Sequence, residues 1–177
     1  MGNRAARSRR NGVFGSESLR EIKVAAFVGL GANLGDRSAQ LRRAFRLLDE
    51  LPATGLVATS SVYATEPRIV EEQPEFLNAC AKIETRLAAD KLLEQLLGIE
   101  RRMGRRRSDR TDKGARRIDL DLLLYGDEIH EGPGLRVPHP GLPERRFVLV
   151  PLAEIAAEVV HPGSGWRIAE LLEACSD

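Results

Sequence analysis

Two carboxylates one residue apart, Asp119 and Asp121, stand in the stretch RRIDLDLLLYG (residues 116–126). Side chains alternate faces along a strand, so both acids point one way while Ile118, Leu120, Leu122 and Leu124 point the other, into a core. Two like charges one strand repeat apart repel. A bound dication would turn that repulsion into attraction. Mg²⁺ suits the pair, because it takes one or two carboxylates and completes its shell with substrate phosphates. The simpler alternative is two solvated acids at an exposed strand end.

What precedes the pair favours the metal. Residues 101–117 hold eight Arg and one Lys against two Asp, a net +7, and residues 1–20 hold five Arg and one Glu, a net +4. The whole chain is only +1, so the remainder is −10. Positive charge is gathered immediately before the two acids, on an otherwise acidic body. Guanidinium forks match phosphate oxygens in a bidentate way, so the run reads as a polyphosphate clamp rather than a solvated surface.

Three further residue groups could carry chemistry. Asn78 alternates with Phe76 on one face of a β-prone run, and it offers a donor and an acceptor to a flat heterocycle stacked on an aromatic ring. His139, in VPHP, is either a ligand contact or a plain loop residue. The glycine-rich GLGANLG lacks the Gly-Lys-Ser/Thr ending of a P-loop and the GxGxxG spacing of a dinucleotide fold.

The elements that must position these residues follow from periodicity. IKVAAFVGL (residues 22–30) reads as a central strand, followed by a glycine-rich turn ending in Asp36 as an N-cap. Leu41, Ala44, Phe45, Leu48 and Leu51 then recur at helical spacing up to Pro52. GLVATSSVYAT reads as a second strand. FLNACAKIETRL reads as a third, with Leu77, Ala79, Ala81 and Ile83 on one face. ADKLLEQLLGIERRM is an amphipathic helix with Leu92, Leu93, Leu96 and Met103 toward the core. After the acid-bearing strand, GDEIHEGPGLRVPHP reads as a turn, a short edge strand and a loop, and ERRFVLVPLAEIA and WRIAELLEAC read as helices. The order β-α-β-β-α-β predicts an α+β, ferredoxin-like core, a mainly antiparallel sheet with helices packed on it.

Composition narrows the classes. At 177 residues, 42% hydrophobic and 30% charged, the chain suits one globular domain, read here as residues 21–177 behind a disordered basic tail, residues 1–20. That Arg- and Ser-containing tail faintly resembles a transit peptide, but its composition suits a solvated extension better. No apolar run approaches a membrane span. Cys80 and Cys175 form neither a CxxC nor a Cys/His spacing, which points to a reducing, cytoplasmic setting. A nucleic-acid module is disfavoured by an aromatic content of 5% with no stacking platform beside the arginines. A metal-dependent nuclease would need ligands beyond the Asp pair, and Glu100 and His139 are the candidates.

Taken in order, GLGANLGD, SSVYATEP, QPEFLNACAKIET, GRRR, RRIDLDLLLYG and VPHPGLPERRFVLVPLAEIA resemble the 6-hydroxymethyl-7,8-dihydropterin pyrophosphokinase family of folate biosynthesis. The likeness runs from about Lys23 to Ala174. It implies transfer of the β,γ-pyrophosphoryl of ATP to the pterin hydroxymethyl oxygen, releasing AMP. Asp119 and Asp121 would hold two Mg²⁺ ions, one drawing in the attacking hydroxyl. Asn78 would read the pterin edge, with Phe76 and Phe147 sandwiching the ring and the Thr65 backbone helping. Arg105, Arg107 and Arg116 would contact the phosphates, with Glu100, His139 and Arg145 elsewhere in the ATP site. Arg105 and Arg116 join the two acids as catalytic candidates. Whether another folate-pathway enzyme associates with the chain is left open. Departures from the family pattern are TDKGAR in place of Trp-Gly-Pro-Arg, Leu97 for a Gln, TEPRIV for Thr-Pro-Pro-Leu-Gly, and Pro140 for a Tyr.

Overall fold

The glycines of GLGANLG do not all belong to a turn. Strand β1 runs Leu19–Ala32 and carries Gly29 and Gly31 inside it, so the turn begins only at Asn33. Its start at Leu19 also places two residues of the stretch read as tail within the sheet. The structure, a computed structural model, describes residues 19–66, 74–105 and 117–176. The tail reading for residues 1–18 therefore lies outside the described residues.

Helix α1 (Arg37–Asp49) starts where Asp36 Oδ1 accepts the Ala39 N–H at 2.9 Å, the N-cap expected from the sequence. The segment read as one second strand is two, β2 (Thr54–Thr59) and β3 (Tyr63–Thr65), with residues 60–62 outside either strand and the Ser61 N–H turned to Glu154. Both pair antiparallel with the long β4 (Phe76–Leu87), one after the other along the same edge. Helix α2 (Ala89–Arg102) follows, and then β5 (Asp119–Tyr125). The stretch whose pattern predicts one short edge strand is a hairpin of its own, β6 (His130–Gly132) with β7 (Leu135–Val137). Helices α3 (Arg146–Ala156) and α4 (Ile168–Ala174) close the described chain.

The sheet order is β2-β4-β1-β5 with β3 also on β4, and each of these neighbouring pairs is antiparallel. That is the ferredoxin-like α+β arrangement the element order predicts. One face packs Ala26, Val28, Leu30, Ile83, Leu120 and Leu122 against Leu41 and Leu48 of α1 and Leu92 and Leu96 of α2. The opposite face packs Phe27, Cys80, Leu123 and Leu124 against Leu149 and Leu152 of α3 and Ile168 of α4. Burial of each such leucine contributes roughly 1.5–3 kcal/mol.

Two side chains depart from the simple periodicity. The register of β5 on β1 steps from Phe27↔Leu124 to Val28↔Leu122, a bulge at Leu123. The extra residue reverses the alternation, so Leu124 joins the α3 face and Tyr125 takes the α1/α2 face. Leu93, expected in the core, is only partly buried and faces a cleft.

Candidate active site

Residues directly opposite in an antiparallel pair share a face. Gly31 pairs with Asn78 on one side and Asp119 on the other, and Gly29 pairs with Cys80 and Asp121. The row Asn78–Gly31–Asp119 thus crosses three strands on the α3 face, and strand spacing sets its ends about 10 Å apart. A Cβ on Gly31 would lie 3.2 Å from Asn78 Oδ1, closer than most side chains approach. Gly31 leaves a bare floor between the amide and the carboxylate. Asn78 Nδ2 donates to Thr65 Oγ1 at 2.7 Å, and Phe76 pairs with Thr65 across β3–β4. Thr65, Phe76 and Asn78 are therefore brought together, though Thr65 engages Asn78 through its hydroxyl.

A cleft of about 520 Å³ opens beside the row, at the outer edge of β5. Leu93, Leu97 and Glu100 of α2 form one wall, and the β6–β7 hairpin with His139, Pro140 and Arg145 forms the other. Asp119 and Asp121 stand on its floor, their side chains 23% and 37% exposed. The cleft is amphiphilic, its lining combining leucines with charged side chains.

The end of α2 builds the charged part. Gly104 adopts φ +95°, its N–H bonds Arg101 O at 3.1 Å, and the Arg105 N–H bonds Glu100 O at 3.0 Å. This is a Schellman cap, which turns the chain back on its own last turn. Arg105 consequently donates to both Glu100 Oε1 and, at 2.6 Å, Asp119 Oδ1. Glu100 is buried and also accepts the Leu120 N–H at 2.8 Å, so it ties α2 to β5. Burial pushes its carboxyl up, against the pull of that N–H and of Arg105. Arg105 also offsets the repulsion between the two acids.

His139 is held by its backbone, its N–H bonding Leu123 O at 2.9 Å. Its Nδ1 accepts the Gly141 N–H at 3.1 Å, so the neutral ring carries its proton on Nε2, 4.0 Å from Asp121 Oδ1. Burial lowers its pKa, with Asp121 opposing and Arg145 reinforcing the shift. A Cβ on Gly141 would meet Arg145 Nε at 2.6 Å, so only glycine lets that guanidinium fold close over the turn. Arg107 and Arg116, the other phosphate candidates, lie outside the described residues.

The two acids fit Mg²⁺. Both offer hard oxygens on one face, and among the described residues no group of three or more His, Cys, Asp or Glu is arranged for a metal. A site of two carboxylates suits an ion that completes its shell with phosphates and water, and does not suit zinc.

The sequence model of the 7,8-dihydro-6-hydroxymethylpterin-pyrophosphokinase family matches residues 27–157. This chain belongs to that family. It is 44% identical over 154 residues to a 2-amino-4-hydroxy-6-hydroxymethyldihydropteridine pyrophosphokinase of Haemophilus influenzae, covering 87% of this chain and 94% of that one. A Bacillus subtilis protein of the same description is 45% identical over 134 residues, 76% of this chain and 79% of that one. The fold also matches a wild-type Plasmodium falciparum HPPK-DHPS crystal structure, with a TM-score of 0.66 and 14% identity over 86% of this chain and 44% of that longer one. The chain is thus an ATP-dependent pyrophosphokinase, and the family uses ATP with Mg²⁺.

Within this pyrophosphokinase the structure adds residues that periodicity missed. Arg136 of β7 lines the cleft, and its cross-strand neighbour is Glu131, yet it makes no hydrogen bond or ion pair with another described residue. Leu93 and Leu135 also line the cleft. Gly31 could have been found from the GxG spacing inside a β-prone run, which strips one strand face of side chains.

Proposed function

We propose that the enzyme binds ATP in the β5 cleft and 6-hydroxymethyl-7,8-dihydropterin over Gly31, and joins them across Asp119. The product is the pterin hydroxymethyl pyrophosphate, with AMP as leaving group. The bond between the α,β-bridging oxygen and the β-phosphorus breaks, one between the hydroxymethyl oxygen and that phosphorus forms, and the hydroxyl proton is released. The row Asn78–Gly31–Asp119 carries this reading, because it sets a ring-reading amide and a metal-binding carboxylate at opposite ends of one bare floor.

Asn78 presents Oδ1 over that floor and keeps one N–H beyond its bond to Thr65. Phe76 and Phe147 would flank the ring. Leu93, Leu97, Leu135 and Pro140 suit a nucleobase. Leu120 turns its N–H outward to Glu100, so by the two-residue repeat Leu122 turns its main-chain N–H and C=O to the same open edge, a donor–acceptor pair for the base. Arg136 and Arg145 supply cations to the nucleotide, and Arg107 and Arg116 are assigned to the phosphates by family likeness. Two Mg²⁺ ions held by Asp119 and Asp121 would neutralise phosphate charge and acidify the hydroxyl. Arg105, already on Asp119, is placed to swing onto the phosphates. Such a transfer needs alignment and fixed charge more than covalent help. Cys80 and Cys175 are unpaired, in keeping with a cytoplasmic setting, and no helix among the described residues is long and apolar enough to cross a membrane.

The test is AMP formation that requires ATP, Mg²⁺ and the reduced pterin together. Asp119→Asn and Asp121→Asn should each lower turnover by orders of magnitude while preserving the circular dichroism spectrum. Near wild-type turnover in either variant at saturating Mg²⁺ would reject the assignment.

A further inference from the structure

The proposed pterin pocket takes its walls from two distant parts of the chain, Thr65 on β3 and Phe147 on α3. β3 is three residues long and pairs with β4. α3 contains Pro151, which has no backbone N–H to add to the helix ladder.

Glu154 joins the two. Its Oε2 accepts the Tyr63 hydroxyl at 2.8 Å and the Ser61 N–H at 2.9 Å. Its Oε1 accepts the Ser61 hydroxyl at 2.8 Å and shares the same N–H at 3.0 Å. Glu154 follows Phe147 by two helical turns, about 10.5 Å along the same stripe of α3. Tyr63 precedes Thr65 by one strand repeat, about 6.6 Å on the same face of β3. The hydroxyl and backbone bonds also hold the Glu154 carboxyl below the ordinary carboxylate range, led by Tyr63, as expected when the ionised form is the one bonded. None of the three residues lines the β5 cleft.

We infer that Glu154 is a positioning residue, a clasp between α3 and β3 that sets the separation of Phe147 and Thr65 and thereby governs affinity for the pterin but not for the nucleotide. The inference rests on the placement of the pterin over Gly31. An exposed carboxylate gains little from any one bond, because water competes for it. Its leverage comes from joining a short edge strand to a proline-interrupted helix at the one place where both reach the same ligand.

The test uses the full chain and two probes, 6-hydroxymethylpterin and a non-hydrolysable ATP analogue, each titrated by calorimetry in the presence of Mg²⁺. Glu154→Ala should weaken the pterin roughly fivefold to tenfold, the worth of about one lost hydrogen bond or slightly more, and leave the ATP analogue within twofold. Glu154→Gln, which keeps one carbonyl acceptor, should fall between. Hydrogen exchange at the Ser61 amide should quicken in Glu154→Ala. Unchanged pterin affinity overturns the clasp, and so does an equal loss of both ligands, which would make the tie merely structural. Should Glu154→Ala not fold, Tyr63→Phe deletes one surface bond and is judged by the same split. Wild-type protein that binds the ATP analogue but no pterin would overturn the pterin placement and the clasp together, whereas pterin bound equally by wild type and variant overturns the clasp alone.

Discussion

Asn78 shows how much one side chain can decide. Its Nδ2 is bonded to Thr65 and its Oδ1 overhangs Gly31, so the amide is held in one orientation before any ligand arrives. Removing a group that a buried ligand pairs with leaves that ligand unsatisfied, at about 1–3 kcal/mol. Asn78→Ala should therefore weaken pterin binding by roughly tenfold to a hundredfold and leave ATP binding almost unchanged, as read by calorimetry with each ligand. Gly31→Ala should reproduce the defect with Asn78 still present, because the new methyl presses on Oδ1 at 3.2 Å. A Gly31→Ala enzyme with normal pterin affinity would remove the bare floor from the argument. Arg136 is the counterpart in the cleft. Arg136→Ala should raise the KM for ATP severalfold, the size expected of a charge-assisted bond near solvent, with the KM for pterin unmoved.

The decisive element is the end of α2. Two backbone bonds onto the carbonyls of the last turn and a left-handed Gly104 close it, and the residue that emerges is Arg105, aimed at Glu100 and Asp119. Gly104 therefore acts as a fixed corner. A side chain there meets the left-handed penalty of about 1–2 kcal/mol. Gly104→Ala should lower the denaturant midpoint by that amount and also cut kcat, because Arg105 leaves its mark. Unaltered stability would mean the corner is not strained, and unaltered kcat alone would mean that Arg105 finds its place without the cap. β5 shows the opposite case, in which a bulge at Leu123 re-aims the strand after both acids have been placed, leaving Asp119 and Asp121 on the α3 face while Leu124 crosses to it.

Across the whole molecule, one sheet divides two cores, and the candidate site follows the row Asn78–Gly31–Asp119 on the α3 face. The connection from α3 to α4 is pinned by His161, which is buried. Its N–H bonds Trp166 O at 2.8 Å, and its Nδ1 accepts the Ser164 N–H at 3.2 Å. Burial lowers its pKa, so the folded protein binds fewer protons there than the unfolded chain. Stability from this group is thus present above the unfolded value of about 6.5 and is lost as pH falls through the depressed folded value. Between pH 7 and 5 the wild-type denaturant midpoint should fall further than that of His161→Gln, which keeps an acceptor but does not titrate. Parallel pH profiles for the two proteins would show that His161 contributes nothing to acid sensitivity.

The order of elements, the shared face of Asp119 and Asp121, the Asp36 cap and the α+β class were all legible in the residues, because each depends on backbone geometry repeated over a few positions. The same local rule marked Asn78 and Phe76 as companions. It could not show that Gly31 lies between Asn78 and Asp119, since residues 31, 78 and 119 meet only through the registers of β4 and β5 on β1. Nor could it place Leu93, whose helical position suits a core but whose neighbour is the open edge of β5. The Leu123 bulge reversed a periodicity that reads unbroken in LDLLLY, because pairing with β1, and not the strand's own pattern, determines where an extra residue is accommodated. Arg136 and Glu154 carry no mark in their own stretches of sequence. Each acquires its part from a surface that another element brings to it, and that approach is a property of tertiary packing.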